Sequence, residues 1–377
     1  NCPFGVVVSD CVLFSELPTA SGHVIARATL NSPKSLNALS LDMIRLLDQQ
    51  LDEWEQREDI VALWLDGAGG KAFCAGGDIV QMHQSMVKHA GESRNPVIEE
   101  YFAAEYALDY RLHTSRIPVV VFGGGIVMGG GMGLMQGADF RLVTPASRMA
   151  MPEITIGLFP DVGGSWFLNR LPGKAGLFLG LTGVHINGRE AVEVGMADRM
   201  VDDDADALLK ALGQQTFADD ARDNHAVLYR FFREQQVDMS GMPHPLMDHM
   251  AQINRLCDGE SLTVVVEQLL DEKDRDAWLD KALRNLEKGC PQTAHLVWEQ
   301  LARSTYFSLA EVFRMEWCLA VQCALHGDFR EGVRALLIDK DGKPAFRHRQ
   351  VADVPRAYID GFFECPAPKH PLASLGN

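Results

Sequence analysis

The sequence lacks the long apolar runs and the cysteine spacings that mark membrane proteins and cysteine-stabilised proteins. No apolar run approaches the ~20 residues that a membrane-spanning helix needs, so we expect no membrane partner. The eight cysteines form no C-x-x-C pair, and none stands at zinc-finger spacing with a histidine. Scattered thiols in a chain of 377 residues indicate a reducing compartment without a disulfide framework.

Positive charge is also scarce, since the net charge is −16 at pH 7. This excess of acids argues against non-specific binding to nucleic acid or to an anionic membrane, because both need clustered cations. An anionic small ligand is still compatible with it, since a few lysines and arginines can line one groove. Hydrophobic residues make up 47% of the chain, which is ample for a core.

Signatures of nucleotide, metal and thiol chemistry are missing as well. There is no G-x-x-x-x-G-K-[ST], and GGGIVMGGGMG at 123–133 matches the dinucleotide fingerprint only loosely. The twelve histidines include no H-E-x-x-H or similar pair, so we expect no metal site. Cys74 could suggest a thiol nucleophile, but no histidine is positioned by sequence to activate it, and we interpret it as a packing residue.

The first half of the chain alternates strand-like and helix-like segments, which indicates an α/β core. GVVVSDCVLFSEL, HVIARATLN and IVALWLDGAG have strand patterns. NALSLDMIRLLDQQLDEWEQ is a predicted helix with Ser40 as its N-cap. Helical patterns dominate from about Ala205. We therefore predict a catalytic core over residues 1–205 and a mainly helical region over residues 206–377.

Two segments contain more glycine than packing requires: GAGGKAFCAGGDI at 67–79 and GGGIVMGGGMG at 123–133. Each precedes a predicted helix, where amide N–H groups are oriented donors in a partly positive field. Two such amides converging on one oxygen would form an oxyanion hole. Ordinary turns also explain glycine clusters, and Asp78 could be only the N-cap of the next helix.

MPEITIGLFPDVGG, at 151–164, is apolar almost throughout and yet carries two acids, Glu153 and Asp161. Two prolines and three glycines exclude a single helix. Glu153 could begin a helical turn, where acids are favoured, and Asp161 could form an Asx turn or an N-cap. The alternative is that both acids do chemistry.

A third acid, Glu105, shares one predicted helical face with Tyr101, Leu108 and Leu112. Burying an isolated charge within an apolar stripe is costly, which favours a functional role. Equally, the side chain could lie at the edge of the stripe and extend to water.

Three segments together resemble one protein family: KAFCAGGDI, IVMGGGMGL and MPEITIGLFPDVGG, in this order and spacing. They are similar to the enoyl-CoA hydratase/isomerase (crotonase) superfamily over about residues 22–205. The resemblance implies an α/β fold, a crotonase-like spiral of repeated ββα units with C-terminal helices. It also implies an acyl-CoA substrate whose thioester oxyanion is stabilised by two backbone amides.

Motif position identifies those two amides as Gly77, after CAG, and Gly130, the middle glycine of MGGGM. The superfamily runs CoA along the first loop, which would place Lys71, Ala75 and Asp78 near it. CoA is then part of the substrate, and the resemblance implies no separate cofactor.

The chain departs from the hydratase pattern at Gly133, where typical hydratases carry a glutamate. One member of the glutamate pair that usually adds water across a double bond is therefore missing, whereas the other, Glu153, is present. MPEITIGLFPDVGG, FLGLTGVHINGREA and DFREGVRALLIDKD instead resemble the 3-hydroxyisobutyryl-CoA hydrolases of valine breakdown over nearly the whole chain. That likeness implies hydrolysis of a short 3-hydroxyacyl-CoA thioester, with substrate contacts from Glu105, Glu153 and Asp161.

Two alternatives to hydrolysis stay open: an enoyl-CoA hydratase or isomerase, and a non-catalytic acyl-CoA-binding protein. For the hydrolase, we expect Glu153 either to attack the thioester or to activate water, while Asp161 holds the 3-hydroxyl group. A homo-oligomer is compatible with the resemblance. The N-terminus shows no signal-peptide pattern, so we expect a cytoplasmic location in a bacterium or the mitochondrial matrix in a eukaryote.

Overall fold

The larger of two sheets has six strands in the order β1-β2-β3-β5-β7-β10. The structure, a computed structural model, describes residues 11–376. β1 and β2 are antiparallel, and every other pair in this sheet is parallel. The strands of this sheet are β1 Val12–Pro18, β2 Val24–Leu30, β3 Ile60–Gly67, β5 Val119–Gly123, β7 Phe140–Val143 and β10 Arg199–Met200.

The smaller sheet has four short strands in the order β4-β6-β8-β9. They are β4 Ala72–Cys74, β6 Ile126–Met128, β8 Arg148–Ala150 and β9 Ile186–Asn187. β3, β5 and β7 each lead into the next strand along the chain, which belongs to the smaller sheet. The chain thus steps repeatedly between the sheets before it enters a helix, which confirms the predicted α/β fold of ββα units.

The helices that follow these strands place the glycine-rich loops and the acid-bearing segment. In the first half they are α1 Leu41–Trp54, α2 Ile79–Lys88, α3 Pro96–His113, α4 Gly130–Gln136, α5 Gly164–Leu168, α6 Ala175–Thr182 and α7 Gly188–Glu193, with 3-10 turns at Pro33–Ser35 and Glu153–Thr155. Ser40 caps α1 as predicted, since its hydroxyl accepts from the Met43 amide at 3.2 Å.

From Ala205 onward the described part of the chain contains helices and turns but no strand. The helices are α8 Ala205–Leu212, α9 Ala221–Glu234, α10 Pro245–Asp248, α11 Met250–Leu256, α12 Leu262–Asp271, α13 Ala277–Lys288, α14 Pro291–Arg303, α15 Leu309–His326, α16 Phe329–Val333 and α17 Arg356–Asp360, with a π-helix at Arg334–Ile338 and 3-10 turns at Val351–Asp353 and Gly361–Phe363. That residues 206–377 form a unit of their own stays a prediction.

Both faces of the central strand β3 are buried, because its side chains are divided between two apolar cores. Trp64 packs with Phe231 and other residues of α8 and α9 on one face. Leu63 and Leu65 point into the larger core, which also contains residues of α14 and α15 such as Leu296. The first strand pattern begins at Gly5, so its start lies outside the described residues. No helix among the described residues is both long and apolar enough to cross a membrane.

Candidate active site

A cavity of about 240 Å³ lies where the two glycine-rich loops meet the Met151–Gly164 segment. Each of these three segments leaves a strand of the smaller sheet (β4, β6 or β8) and leads to a helix. Ends of neighbouring parallel strands meet at one edge, so the fold brings the three segments together. The predicted residues that line the cavity are Ala75, Gly77, Glu105, Gly130, Glu153 and Asp161.

The two predicted oxyanion glycines have amides without a backbone acceptor. Gly130 is the first residue of α4, so its N–H has no partner within the helix. Around Gly77, the bridge to Leu39 uses the amides of Leu39 and Asp78, and the backbone bonds of the described residues leave Gly77 N–H unused. Both amides are therefore available as donors at the cavity.

Glycine is required at Gly130 by the close approach of an acid. A Cβ atom built there would lie 2.5 Å from Glu105 Oε1. Gly129, just before it, has a φ of +46°, and a Cβ on it would lie 3.4 Å from Glu153 Oε1. The second loop thus passes between the Glu105 and Glu153 carboxyl groups.

Glu153 begins the 3-10 turn after β8, as its proximity to Pro152 suggested. The residue is buried, and Oε2 has no hydrogen-bond partner among the described residues. Burial raises the pKa of Glu153 well above its ordinary value, and the charges of Asp161 and Glu105 raise it further. A buried acid with a free oxygen in a cavity is suited to chemistry rather than to capping.

Asp161 is also buried, and its Oδ2 accepts a 2.6 Å hydrogen bond from the Tyr106 hydroxyl. Burial raises the pKa of Asp161 to about 7, although the bond from Tyr106 opposes this rise. Its backbone carbonyl accepts from the Gly164 amide at 2.7 Å, which closes the turn into α5. Asp161 is therefore part of a turn, and it also lines the cavity.

Glu105 is 3% exposed, so it does not extend to water. Tyr101, Leu108 and Leu112 are buried on the same helix, as the helical spacing predicts. The Tyr101 hydroxyl lies 3.5 Å from Glu105 Oε1. Burial, followed by the charge of Asp161, raises the pKa of Glu105 well above its ordinary value.

Of the three residues predicted to contact CoA, one lies at the cavity. Ala75 lines the cavity, whereas Lys71 and Asp78 do not. Lys71 is exposed near the start of the first loop, and Asp78 caps α2 by accepting from the Gln81 amide at 3.1 Å. Cys74 is buried, and burial raises its thiol pKa to about 12, which fits the packing interpretation.

Asp109, one helical turn beyond Glu105, is a buried acid that the sequence analysis missed. It is fully buried, and neither carboxyl oxygen has a hydrogen-bond partner among the described residues. A Cβ on Gly133 would lie 2.6 Å from Asp109 Oδ2 and 2.7 Å from Val162 Cβ. The space of a side chain at position 133 is therefore filled from α3 and from the acid-bearing turn, so a glutamate side chain would not fit there.

Polar side chains of α14 hold the backbone of the acid-bearing segment, and the sequence analysis missed them too. Gln300 Nε2 donates to the Pro160 carbonyl at 2.7 Å, and the Thr293 hydroxyl donates to the Leu158 carbonyl. The i, i+7 spacing of these two residues places them on one face of α14. That spacing was a usable signal, but the pattern does not reveal which segment the face contacts.

Among the described residues, one group of side chains has metal-ligand spacing: Cys318, Cys365 and His370, whose ligand atoms lie within 4.8 Å of one another. None of the three lines the cavity. The ring nitrogens of His370 are both engaged, with the Arg314 carbonyl at 2.9 Å and the Leu372 amide at 3.0 Å. These bonds compete with metal ligation by the histidine.

Comparison with known proteins links this geometry to one family. The family description "Enoyl-CoA hydratase/isomerase" matches residues 25–363. The chain is 38% identical over 337 residues to the mitochondrial 3-hydroxyisobutyryl-CoA hydrolase of Xenopus laevis, a match that covers 89% of this chain and 85% of that relative. Its identity to the enzyme of the same name from Danio rerio is 39% over 339 residues, covering 89% and 86%.

A solved structure shows a similar fold over almost the full length. The chain superposes on the crystal structure of an enoyl-CoA hydratase from Rhodobacter sphaeroides 2.4.1 with a TM-score of 0.82 and 30% identity. The alignment covers 96% of this chain and 98% of that one. The similarity therefore includes the helical second half as well as the α/β core.

Proposed function

The chain belongs to the enoyl-CoA hydratase/isomerase family, and on that premise we propose that it hydrolyses the thioester of a short 3-hydroxyacyl-CoA. The proposed main substrate is 3-hydroxyisobutyryl-CoA, which gives 3-hydroxyisobutyrate and CoA, a step of valine degradation. The observation that carries this proposal is the grouping of Glu105, Glu153 and Asp161 around one small cavity that is also lined by two glycines with unused amides. The absence of an acid at Gly133 favours hydrolysis over hydration.

In the proposed complex the thioester oxygen lies between the amides of Gly77 and Gly130. Both amides are fixed by backbone structure, so they need no rearrangement as negative charge develops on the oxygen. Each such donor is worth about 3 kcal/mol of transition-state stabilisation in known oxyanion holes. The close packing of Glu105 against Gly130 supports this placement, because it keeps the loop from shifting.

Glu153 is the proposed catalytic acid-base or nucleophile. As a general base it takes a proton from water while the water oxygen bonds to the thioester carbon. The C–S bond then breaks, and Glu153 returns the proton to the departing CoA thiolate. As a nucleophile it would instead form a mixed anhydride that water cleaves. An acyl adduct on Glu153 in rapid-quench peptide mass spectrometry would identify the anhydride route.

Asp161 is proposed to accept a hydrogen bond from the substrate's 3-hydroxyl group and to orient Glu153. The Tyr106 hydroxyl occupies one side of its carboxyl group, which fixes the direction of the other oxygen. Glu105 is proposed to bind the acyl group from the opposite side. Burial, followed by the charge of Asp161, raises the pKa of Glu105 and of Glu153, which favours protonated carboxyl groups that can donate hydrogen bonds to the substrate.

The CoA arm is proposed to leave the cavity past the first loop, with Lys71, Ala75 and Asp78 along its path. Leu336 of the π-helix lines the cavity and is 47% exposed, so it lies at the mouth of the cavity. CoA is part of the substrate, and we propose no other cofactor.

The Xenopus laevis and Danio rerio relatives are named as mitochondrial. For this chain we propose a location in the cytoplasm of a bacterium or in the mitochondrial matrix of a eukaryote. We also propose a homo-oligomeric state.

A thiol-release assay over a panel of acyl-CoA esters tests the proposed function. The panel contains 3-hydroxyisobutyryl-CoA, 3-hydroxypropionyl-CoA, isobutyryl-CoA and crotonyl-CoA. We expect fast release of thiol from the hydroxylated esters and slow release from isobutyryl-CoA. Rapid loss of the enoyl absorbance of crotonyl-CoA without thiol release would instead show a hydratase.

A further inference from the structure

The turn that carries Asp161 has a backbone conformation that its own sequence does not favour. Val162, directly after Asp161, has a φ of +52°, and Gly163 has a φ of +86°. A β-branched residue rarely adopts a positive φ, so the surrounding structure has to stabilise this turn. Any residue that stabilises it also determines where the Asp161 carboxyl group points.

Glu316 of α15 holds this turn with both of its carboxyl oxygens. Oε2 accepts from the Gly163 amide at 2.7 Å, and Oε1 accepts from the Ser165 amide at 2.9 Å. Glu316 is 0% exposed, so these bonds do not compete with water. The two amides lie two and four residues after Asp161.

The position of Glu316 also makes it an electrostatic neighbour of the candidate site. Burial raises the pKa of Glu316 to about 8, the two amide bonds oppose this rise, and the charge of Asp161 adds to it. The charge of Glu316 also raises the pKa of Tyr106 and of Asp109, both on α3. Among the described residues, no cation is one of the main causes of the pKa shifts of Glu316 and Asp161.

We propose that Glu316 is the positioning residue by which the helical second half of the chain fixes Asp161 and sets the electric field at its carboxyl group. The two hydrogen bonds hold the turn from α15, whereas Tyr106 bonds to Asp161 from α3. The charge of Glu316 and that of Asp161 repel each other in a region with little screening. The effect of Glu316 on catalysis rests on the proposed function, in which Asp161 contacts the substrate. The electrostatic coupling between Glu316 and Asp161 does not require any particular reaction.

The coupling is tested by titrating the Asp161 carboxyl group in the full-length protein. The resonance of a ¹³C-labelled carboxyl group is followed by NMR and assigned by its loss in Asp161→Asn. In the wild type we expect a curve with more than one step, because ionisation of Glu316 and of the cavity acids Glu105 and Glu153 perturbs Asp161. In Glu316→Gln, which keeps the size of the side chain, the step that comes from Glu316 should disappear. Glu267→Gln, at an exposed position on α12, should leave the curve unchanged.

Identical titration curves in the wild type and in Glu316→Gln would overturn the proposal. If Glu316→Gln fails to fold, the reciprocal experiment follows Glu316 in Asp161→Asn. Its carboxyl group should then titrate at a lower pH than in the wild type, because the repelling charge of Asp161 is absent. An unchanged Glu316 titration would also overturn the proposal.

A second measurement depends on the proposed function. It distinguishes a failure of the proposed role of Glu316 from a failure of the proposed function. In Glu316→Gln, kcat/KM for 3-hydroxyisobutyryl-CoA should fall about tenfold to a hundredfold, since a small displacement of an orienting acid has effects of this size. For isobutyryl-CoA, which lacks the hydroxyl group, we expect a smaller loss, so the ratio of the two values falls. A changed titration in a protein that hydrolyses neither ester would leave the role of Glu316 intact and refute the proposed function.

Discussion

The Tyr106 hydroxyl donates a hydrogen bond of 2.6 Å to Asp161 Oδ2, and both residues are buried. This bond connects α3 to the acid-bearing turn. It opposes the effect of burial, which raises the pKa of Asp161 to about 7. The bond therefore keeps part of the Asp161 population ionised near neutral pH, and an ionised carboxyl group is the better acceptor for a substrate hydroxyl.

Tyr106→Phe removes this bond, so the pKa of Asp161 should rise further. Since the proposed mechanism uses the Asp161 carboxylate, the acid limb of the kcat/KM profile should move to higher pH. For a rise of roughly one pKa unit from about 7, activity at pH 7 should fall about fivefold, because the ionised fraction of Asp161 falls from about one half to about one tenth. Thiol-release rates between pH 5 and pH 9 check this, with Tyr110→Phe on the same helix as the control. An acid limb that stays in place would show that Asp161 does not control activity.

Gly133→Ala should destabilise the protein, because the new Cβ would lie within 2.7 Å of Asp109 Oδ2 and Val162 Cβ. Overpacking of this kind costs about 1–3 kcal/mol. A thermal melt measures the effect. Gly241→Ala is the matched control, since a Cβ there meets nothing within 4 Å. Equal melting temperatures for the two variants would show that position 133 has room for a side chain.

Asp109 should make the stability of the protein depend on pH. Burial and the neighbouring acids raise its pKa, so the folded state keeps a proton that the unfolded state loses above about pH 4. Its contribution to stability is therefore complete below pH 4 and is lost as the pH rises towards the folded-state pKa.

In Asp109→Asn this contribution is absent, and the free energy of unfolding should fall less between pH 5 and pH 7. The difference in slope is at most about 1.4 kcal/mol per pH unit for one proton. Urea denaturation at a series of pH values measures it, with Glu100→Gln, exposed on the same helix, as the control. Parallel pH dependences for Asp109→Asn and the wild type would mean that Asp109 is ionised in the folded protein.

Lys71→Ala should weaken substrate binding without affecting the chemical step. The side chain is exposed at the first loop and does not line the cavity, so it can contact only the CoA part of the substrate. KM should rise about two- to fivefold at low salt while kcat stays the same, and added salt should reduce the difference. An unchanged KM at every salt concentration would remove Lys71 from the CoA path.

The sequence predicted those parts of the site that depend on local pattern. The two glycine-rich loops and the helical face of Glu105 could be predicted, because tight backbone conformations select glycine and helical periodicity produces a regular spacing of apolar residues. Asp109 was missed, although it follows Glu105 by four residues and so stands on the same side of α3. The same periodicity argument, carried one turn further, would have included it.

Other features could not be predicted because they depend on contacts between distant segments. Glu316 lies in the second half of the chain, and nothing in the pattern of α15 shows that its carboxyl group meets the amides of Gly163 and Ser165. Whether Glu105 was buried or extended to water was open for the same reason. Its burial depends on α4 and the acid-bearing turn, which pack against α3 only in the folded protein.

The most direct test of the account is the effect of Glu153→Gln on thiol release from 3-hydroxyisobutyryl-CoA. The variant keeps the size of the side chain and removes its basicity, so we expect kcat to fall by about 10²–10⁴. Thermal stabilisation by CoA should be retained, which would show that the cavity is intact. A Glu153→Gln protein that releases thiol within about twofold of the wild-type rate would contradict the account.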